Sequence, residues 1–218
     1  MPILSEQDKQ AIRERLQGMA NPVKIVVFVQ ELGDCQYCPQ TRELMTELAE
    51  LSDKLSVEVK NLVIDKEDAE LYDIDKVPAI AIVGIEDGKD VDYGIRFFGI
   101  PAGYEFAALL EDILMVSNKQ SGLPEGVKNY LKTLDTPVRI MVFVTPTCPY
   151  CPNAVFTAHQ FALESDKVTG MMIEATEFPD LSNRFEVRAV PKIVVNEKAE
   201  IEGAVPPEVF VDLIKQSI

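Results

Sequence analysis

All four cysteines of this 218-residue chain fall into two Cys-X-X-Cys motifs, Cys35-Gln36-Tyr37-Cys38 and Cys148-Pro149-Tyr150-Cys151. Two thiols at that spacing lie close enough to close a disulfide, and a pair that opens and closes is a redox switch. The reactive form of cysteine is the thiolate, so the chemistry also needs a place that favours an anion. A helix N-terminus is such a place, because its first N–H groups lack partners and the macrodipole is positive there. Cys35 and Cys148, first in each motif, are therefore expected at helix N-termini as the nucleophiles. Cys38 and Cys151 are expected to resolve: each attacks the mixed disulfide, releases the substrate and leaves its motif oxidised. A purely structural disulfide is the bland alternative, but so short a loop constrains the unfolded chain little. Zinc is the more serious rival, since two such pairs supply four thiolates for a tetrahedron.

The flanking sequence supplies the elements that would position these thiols. Val138 to Val144 is an apolar, β-rich run of the kind found in a central parallel strand, and Thr145-Pro146-Thr147 breaks it. Beyond Cys148, Ala154, Val155, Ala158, Phe161 and Ala162 recur at helical spacing, and Pro149 suits a first helical position. The arrangement occurs twice. Asn21 to Val29 mirrors Thr136 to Val144 position for position and leads, after a loop two residues longer, into Cys35 and a helix carrying Leu44, Leu48 and Leu51. Downstream, Ile74-Asp-Lys-Val77-Pro78-Ala-Ile80 matches Val187-Arg-Ala-Val190-Pro191-Lys-Ile193, and each proline follows its first cysteine by 43 residues. A spacing held across a helix, a strand and a second helix means two copies of one domain. The boundary falls after residue 118, giving a unit 1–118 with the Cys-Gln-Tyr-Cys motif and a unit 119–218 with the Cys-Pro-Tyr-Cys motif. Against zinc, each pair has its own strand, helix and Val-Pro, and the pairs stand 113 residues apart at equivalent positions.

The remaining elements follow the same order in each unit. In the first, Ser5 caps an opening helix with Ile12 and Leu16 on one face, Val57 to Ile64 is a strand and Lys66 to Ile74 a short helix. Pro78–Val83 and Val91–Phe98 form a hairpin around Asp87-Gly88, and Gly103–Val116 closes the unit as an amphipathic helix. Ser117 to Leu123 is a short polar linker, so the units are expected to pack together rather than swing. The second unit repeats the pattern with a hairpin about nine residues shorter.

Composition narrows the function. A net charge of −15, with −12 in residues 1–118 and −3 in the rest, argues against nucleic acid, whose phosphates demand stripes of Lys and Arg. No run of 18 apolar residues is present to span a membrane, and the first residues read as no signal peptide. The expectation is a cytoplasmic protein.

A strand, Cys-X-X-Cys, helix, strand, helix and then Val-Pro before another strand resembles the thioredoxin/glutaredoxin pattern, and Cys-Pro-Tyr-Cys is the glutaredoxin form of its active site. Two such units in tandem resemble the glutaredoxin-like protein disulfide oxidoreductases of thermophilic archaea and bacteria. The likeness covers nearly the whole chain and includes Gly99-Ile-Pro-Ala-Gly-Tyr-Glu-Phe106. It implies an α/β fold of two tandem thioredoxin-fold units, each a mixed central sheet flanked by helices. It also implies a protein disulfide isomerase-like enzyme that reduces, forms or reshuffles disulfides in other proteins. In that family Pro78 and Pro191 would be cis beside the motif, keeping the backbone of Val77 and Val190 open to pair with an extended substrate peptide. Tyr37 and Tyr150 would help shape each mouth, a role taken partly from the family pattern. No cofactor is expected beyond the redox-active disulfides. With no Gly-rich dinucleotide motif, electrons must come from another protein or a small thiol; an upstream thioredoxin reductase-like flavoprotein would fit. One departure stands out. Thioredoxins carry a buried Asp six residues before the first cysteine, whereas Val29 and Val142 stand there in this chain, leaving the proton acceptor unassigned. His159, the only histidine, is expected on a helix surface or in packing, and a redox-inert docking scaffold is the alternative of a different class.

Overall fold

The structure, a computed structural model, describes residues 3–30 and 35–218. The first unit runs α1 (Glu6–Leu16), β1 (Val23–Val29), α2 (Cys38–Ala49), β2 (Leu55–Asn61), α3 (Lys66–Leu71), β3 (Ala79–Glu86), β4 (Lys89–Phe98) and α4 (Glu105–Asn118). The second repeats it as α5 (Glu125–Leu131), β5 (Val138–Val144), α6 (Cys151–Glu164), β6 (Val168–Glu174), α7 (Pro179–Arg184), β7 (Lys192–Val195), β8 (Ala199–Glu202) and α8 (Pro207–Ser217). Local chemistry sets several of these boundaries. Ser5 and Asp8 form a reciprocal capping box that starts α1. Asp87 and Gly88 both take positive φ, as a two-residue hairpin turn between right-twisted strands requires.

The strands form one mixed sheet in the order β2-β1-β3-β4-β6-β5-β7-β8. Each unit contributes four strands in equivalent order, and the two halves fuse where β4 pairs in parallel with β6, Ile95 opposite Gly170 through Phe98 opposite Ile173. The sequence suggests two units packed together; the structure goes further and gives them a shared hydrogen-bonded sheet. The longer hairpin of the first unit carries the join. Ile95, Phe97 and Phe98 are fully buried, each contributing about 1.5–3 kcal/mol of apolar burial. β8, its counterpart, is short and exposes Glu200 and Glu202, charges suited to an outer edge.

Alternate residues of the central strands enter two cores. Ile25 and Val27 face the layer holding α2, α4, α6 and α8, while Val26 and Phe28 face the layer holding α3 and α7. Burial on both faces explains why β1 and β5 read as nearly unbroken apolar runs. The strand directions decide where function can sit. β1, β4, β6 and β5 point one way, and β3 and β7 run against them. The C-terminal ends of β1 and β5, which lead to the cysteines, therefore share one edge with the starts of β3 and β7, which follow the two prolines.

Candidate active site

Each Cys-X-X-Cys pair is closed on itself. Cys35–Cys38 and Cys148–Cys151 are disulfides with Cα atoms 5.4 and 5.5 Å apart. In both motifs the helix begins at the second cysteine rather than the first. The Thr41 N–H donates to the Tyr37 carbonyl to close the opening turn of α2, and Pro39 and Pro152 occupy the first turns, where a missing N–H costs nothing. Pro149 instead lies in the turn ahead of α6, where its fixed φ suits the bend from Cys148 to Cys151. The first cysteines thus precede the helix N-termini and the second cysteines are their first residues. Burial separates the two members of each pair. Cys38 and Cys151 are 3% and 0% exposed, whereas Cys35 is partly exposed and Cys148 is 8% exposed. The Gln30 N–H donates to Cys38 Sγ at 3.4 Å, a contact that also favours a thiolate left on that sulfur.

Val77–Pro78 and Val190–Pro191 are cis peptides, and both prolines are buried at the starts of β3 and β7. At the second motif Cys148 Sγ lies 3.7 Å from the Val190 carbonyl oxygen. At the first, Cys35, Gln36, Tyr37, Val77 and Pro78 line a cleft of about 600 Å³. Tyr37 belongs to that wall, while Tyr150 is 68% exposed. The positions ahead of the cysteines, Val29 and Val142, are buried and apolar.

Two carboxylates that sequence reasoning leaves unassigned approach from across the sheet join. The far wall of the first cleft is Thr176, Glu177 and Pro179, from the loop after β6 of the second unit. In the other direction, Gly103 and Tyr104, after β4 of the first unit, abut the loop that leads to Cys148. The Tyr104 N–H donates to the Pro146 carbonyl, and a Cβ on Gly103 would sit 2.2 Å from that same oxygen. Glu105, the next residue, is 1% exposed with neither carboxylate oxygen hydrogen-bonded, and burial plus the charge of Asp112 push it up to about 8. Asp112 in turn bonds His159 Nδ1 at 2.6 Å, and His159 Nε2 meets the Arg96 carbonyl at 3.1 Å. His159 is therefore not a surface residue: it is fully buried and ties α6 to α4 and β4. Glu105 lies within the Gly99–Phe106 segment, but nothing local marks it as buried.

The comparisons with known proteins agree with this geometry. Residues 138–215 match the family model described as a thioredoxin domain. A solved protein disulfide oxidoreductase from Aeropyrum pernix K1 superposes with a TM-score of 0.89 at 33% identity, over 97% of this chain and 92% of that one. The NTD_N/C domain of alkylhydroperoxide reductase AhpF from Enterococcus faecalis has the same fold, with a TM-score of 0.87 at 21% identity over 97% and 99% of the two chains. The corresponding alkyl hydroperoxide reductase component of Staphylococcus aureus (strain Mu50 / ATCC 700699) is 26% identical over 194 residues, 89% of this chain. The chain spans about a third of that relative's length, 34%. Fold and site together define a tandem thioredoxin-fold dithiol–disulfide oxidoreductase. The chain belongs to the protein disulfide oxidoreductase family, as its likeness to the Aeropyrum protein shows.

Proposed function

We propose that the chain exchanges disulfides with protein substrates at two sites, one in residues 1–118 and one in residues 119–218. The observation that carries this reading is that both disulfides lie at one sheet edge, each with its own Val-Pro segment. A client cysteine would meet Cys35 or Cys148, the more exposed sulfur of each pair, while an extended client backbone runs beside Val77 or Val190. In the reducing direction the first thiolate attacks the client disulfide, and one client sulfur leaves with its electron pair and takes a proton. The second thiol, deprotonated, then attacks the first sulfur, closing the motif and releasing the other client thiol. Two electrons leave the motif for each client disulfide opened. The motif is recharged by a small thiol or a thioredoxin reductase-like flavoprotein, and the four thiols are the only redox groups required. The partial likeness to a component of alkyl hydroperoxide reductase supports a place in a chain of such transfers.

A single zinc ion does not fit the four sulfurs. The pairs follow β1 and β5, four strand positions apart, which is roughly 19 Å at ordinary strand spacing. Reduction of insulin by dithiothreitol, followed by turbidity, tests the exchange reading. The protein should shorten the lag, and the Cys35→Ser/Cys38→Ser/Cys148→Ser/Cys151→Ser variant should not. Equal acceleration by both would leave only a redox-inert scaffold.

A further inference from the structure

The first cleft is built from both units, and Glu177 of the second lines it together with Cys35 of the first. We propose that Glu177 is the acid–base residue of the first dithiol site, contributed across the sheet join by the second unit. This assignment rests on the disulfide-exchange reading above.

Glu177 follows β6, and its placement depends on Gly99 at the end of β4. Gly99 takes a φ of +96°, and a Cβ there would stand 2.6 Å from Glu174 Cβ and 2.9 Å from Glu177 Oε1. Without a side chain at Gly99, the loop from the second unit settles against the first. The Ile100 N–H then donates to Glu177 Oε1 at 2.8 Å, and the Glu177 N–H donates to Glu174 Oε2 at 2.6 Å. One carboxylate oxygen is thereby fixed to the first unit, and the residue lines the space that also holds Cys35, Tyr37 and Pro78. The groups facing Glu177 are mixed in charge. Among the described residues, Glu174 on β6 accepts its N–H, Cys35 and Tyr37 line the same cleft, and Lys76, Asp180 and Arg184 line an adjoining cleft with it. Lys76 is already engaged by Asp75 and the Phe98 ring, and Arg184 by Glu197. Burial raises the carboxyl, the Ile100 N–H opposes this, and the Glu174 charge adds to it, leaving Glu177 at about 7. A group that titrates there can both accept and return a proton near neutrality.

Reduction of the oxidised site begins when an incoming thiol gives its proton to the Glu177 carboxylate and its sulfur attacks Cys35 Sγ. The new sulfur–sulfur bond forms as the Cys35–Cys38 bond breaks, and the electron pair goes to Cys38, whose sulfur accepts the Gln30 N–H. Attack by a second thiol on the sulfur joined to Cys35 frees Cys35, which takes the proton held by Glu177, while the second thiol's own proton goes to Cys38. The thiols supply two electrons and two protons, and the site ends as a dithiol with Glu177 again ionised.

The test uses the full chain in a Cys148→Ser/Cys151→Ser background, with and without Glu177→Gln. Dithiothreitol reduces the first site, and samples quenched with maleimide between pH 6 and 9 are read by mass spectrometry. With Glu177 present the rate should rise to about pH 7 and then level until the reductant's own thiol ionises. With Gln, only thiolate from solution attacks, so the rate should climb about tenfold per pH unit across that span. At pH 7 the variant should be slower by about tenfold or more, and the gap should close toward pH 9. Gln keeps an oxygen for the Ile100 N–H, and Glu177→Asp should restore part of the levelled profile. Parallel profiles, or a uniform loss at every pH, would overturn the assignment while leaving the exchange reading standing. A first site that accepts no electrons even with Glu177 intact would bring down both.

Discussion

The two dithiols are copies in sequence, yet each stands in surroundings made by the other half of the molecule. The first opens into a cleft whose far wall, Thr176 to Pro179, belongs to the second unit. The loop that leads to the second is backed by Gly103 and Tyr104 of the first unit, with Glu105 buried beside them. The first site therefore shares its cleft with a half-buried carboxyl of the second unit, whereas the loop leading to the second rests on a segment whose next residue is a fully buried carboxyl. Duplication fixed the thiols and the prolines in matching places. Fusion through β4 and β6 then gave the two sites different neighbouring loops, because a pseudo-symmetric pair joined at unlike edges presents unlike loops to its partner.

The largest effect should come from removing one sulfur of a pair. Cys151→Ser and Cys38→Ser should accumulate mixed disulfides with client proteins on non-reducing gels, because the buried sulfur that resolves them is gone. Cys148→Ser and Cys35→Ser should accumulate none. Equal trapping by both members of a pair would break the division into attacking and resolving sulfurs, and trapping at one site alone would show that only that site meets clients.

A smaller, pH-dependent effect separates the first turns of α4 and α8. Glu105 is raised from 4.5 to about 8, so it holds its proton more tightly folded than unfolded. Native protein should then lose stability as pH rises from about 4.5 to about 8 and lose no more beyond. Glu105→Gln removes that slope. Urea unfolding should show little difference from native at pH 4 and a gain of up to about 5 kcal/mol at pH 8.5. Glu208, in the first turn of α8, is exposed, and Glu208→Gln should change stability by less than about 0.5 kcal/mol at either pH.

The finest distinction concerns the order of the two thiols. Cys148 is flanked by Thr145, Pro146, Thr147, Pro149 and Tyr150, none of them charged. Cys35 shares its cleft with Glu177 and sits in the unit carrying most of the negative charge. Glu31 and Asp34, which precede it in sequence, lie outside the described residues. A nearby carboxylate disfavours a second anion, though screening limits the effect at an exposed mouth. Iodoacetamide should therefore modify Cys148 at lower pH than Cys35, each measured with the other site replaced by serine. Equilibration with glutathione should find the second disulfide the stronger oxidant, where 30 mV corresponds to about 1.4 kcal/mol. The reverse order would show that strain from Gln36-Tyr37 against Pro149-Tyr150 outweighs charge.

Much of this is legible in the sequence, because local chemistry and a repeated spacing carry it. The cysteine pairs, the two strands before them, the Ser5 cap, the Asp87-Gly88 turn and the matching Val-Pro segments each depend on neighbours in the chain. The residue pattern puts the start of α6 two residues early, because Pro149 satisfies a turn as readily as a first helical position. The joining of the halves is not legible. Ile95 to Phe98 and Gly170 to Ile173 read as buried strands, but burial on both faces says nothing about which strand lies alongside. From that one pairing follow the burial of His159 against Asp112, the seating of Glu177 on Gly99, and its place in the cleft that Cys35 also lines. The sequence alone placed the four sulfurs in two pairs. Tertiary structure decided which groups of the other half border their sites, because those groups are brought near only when the two sheets become one.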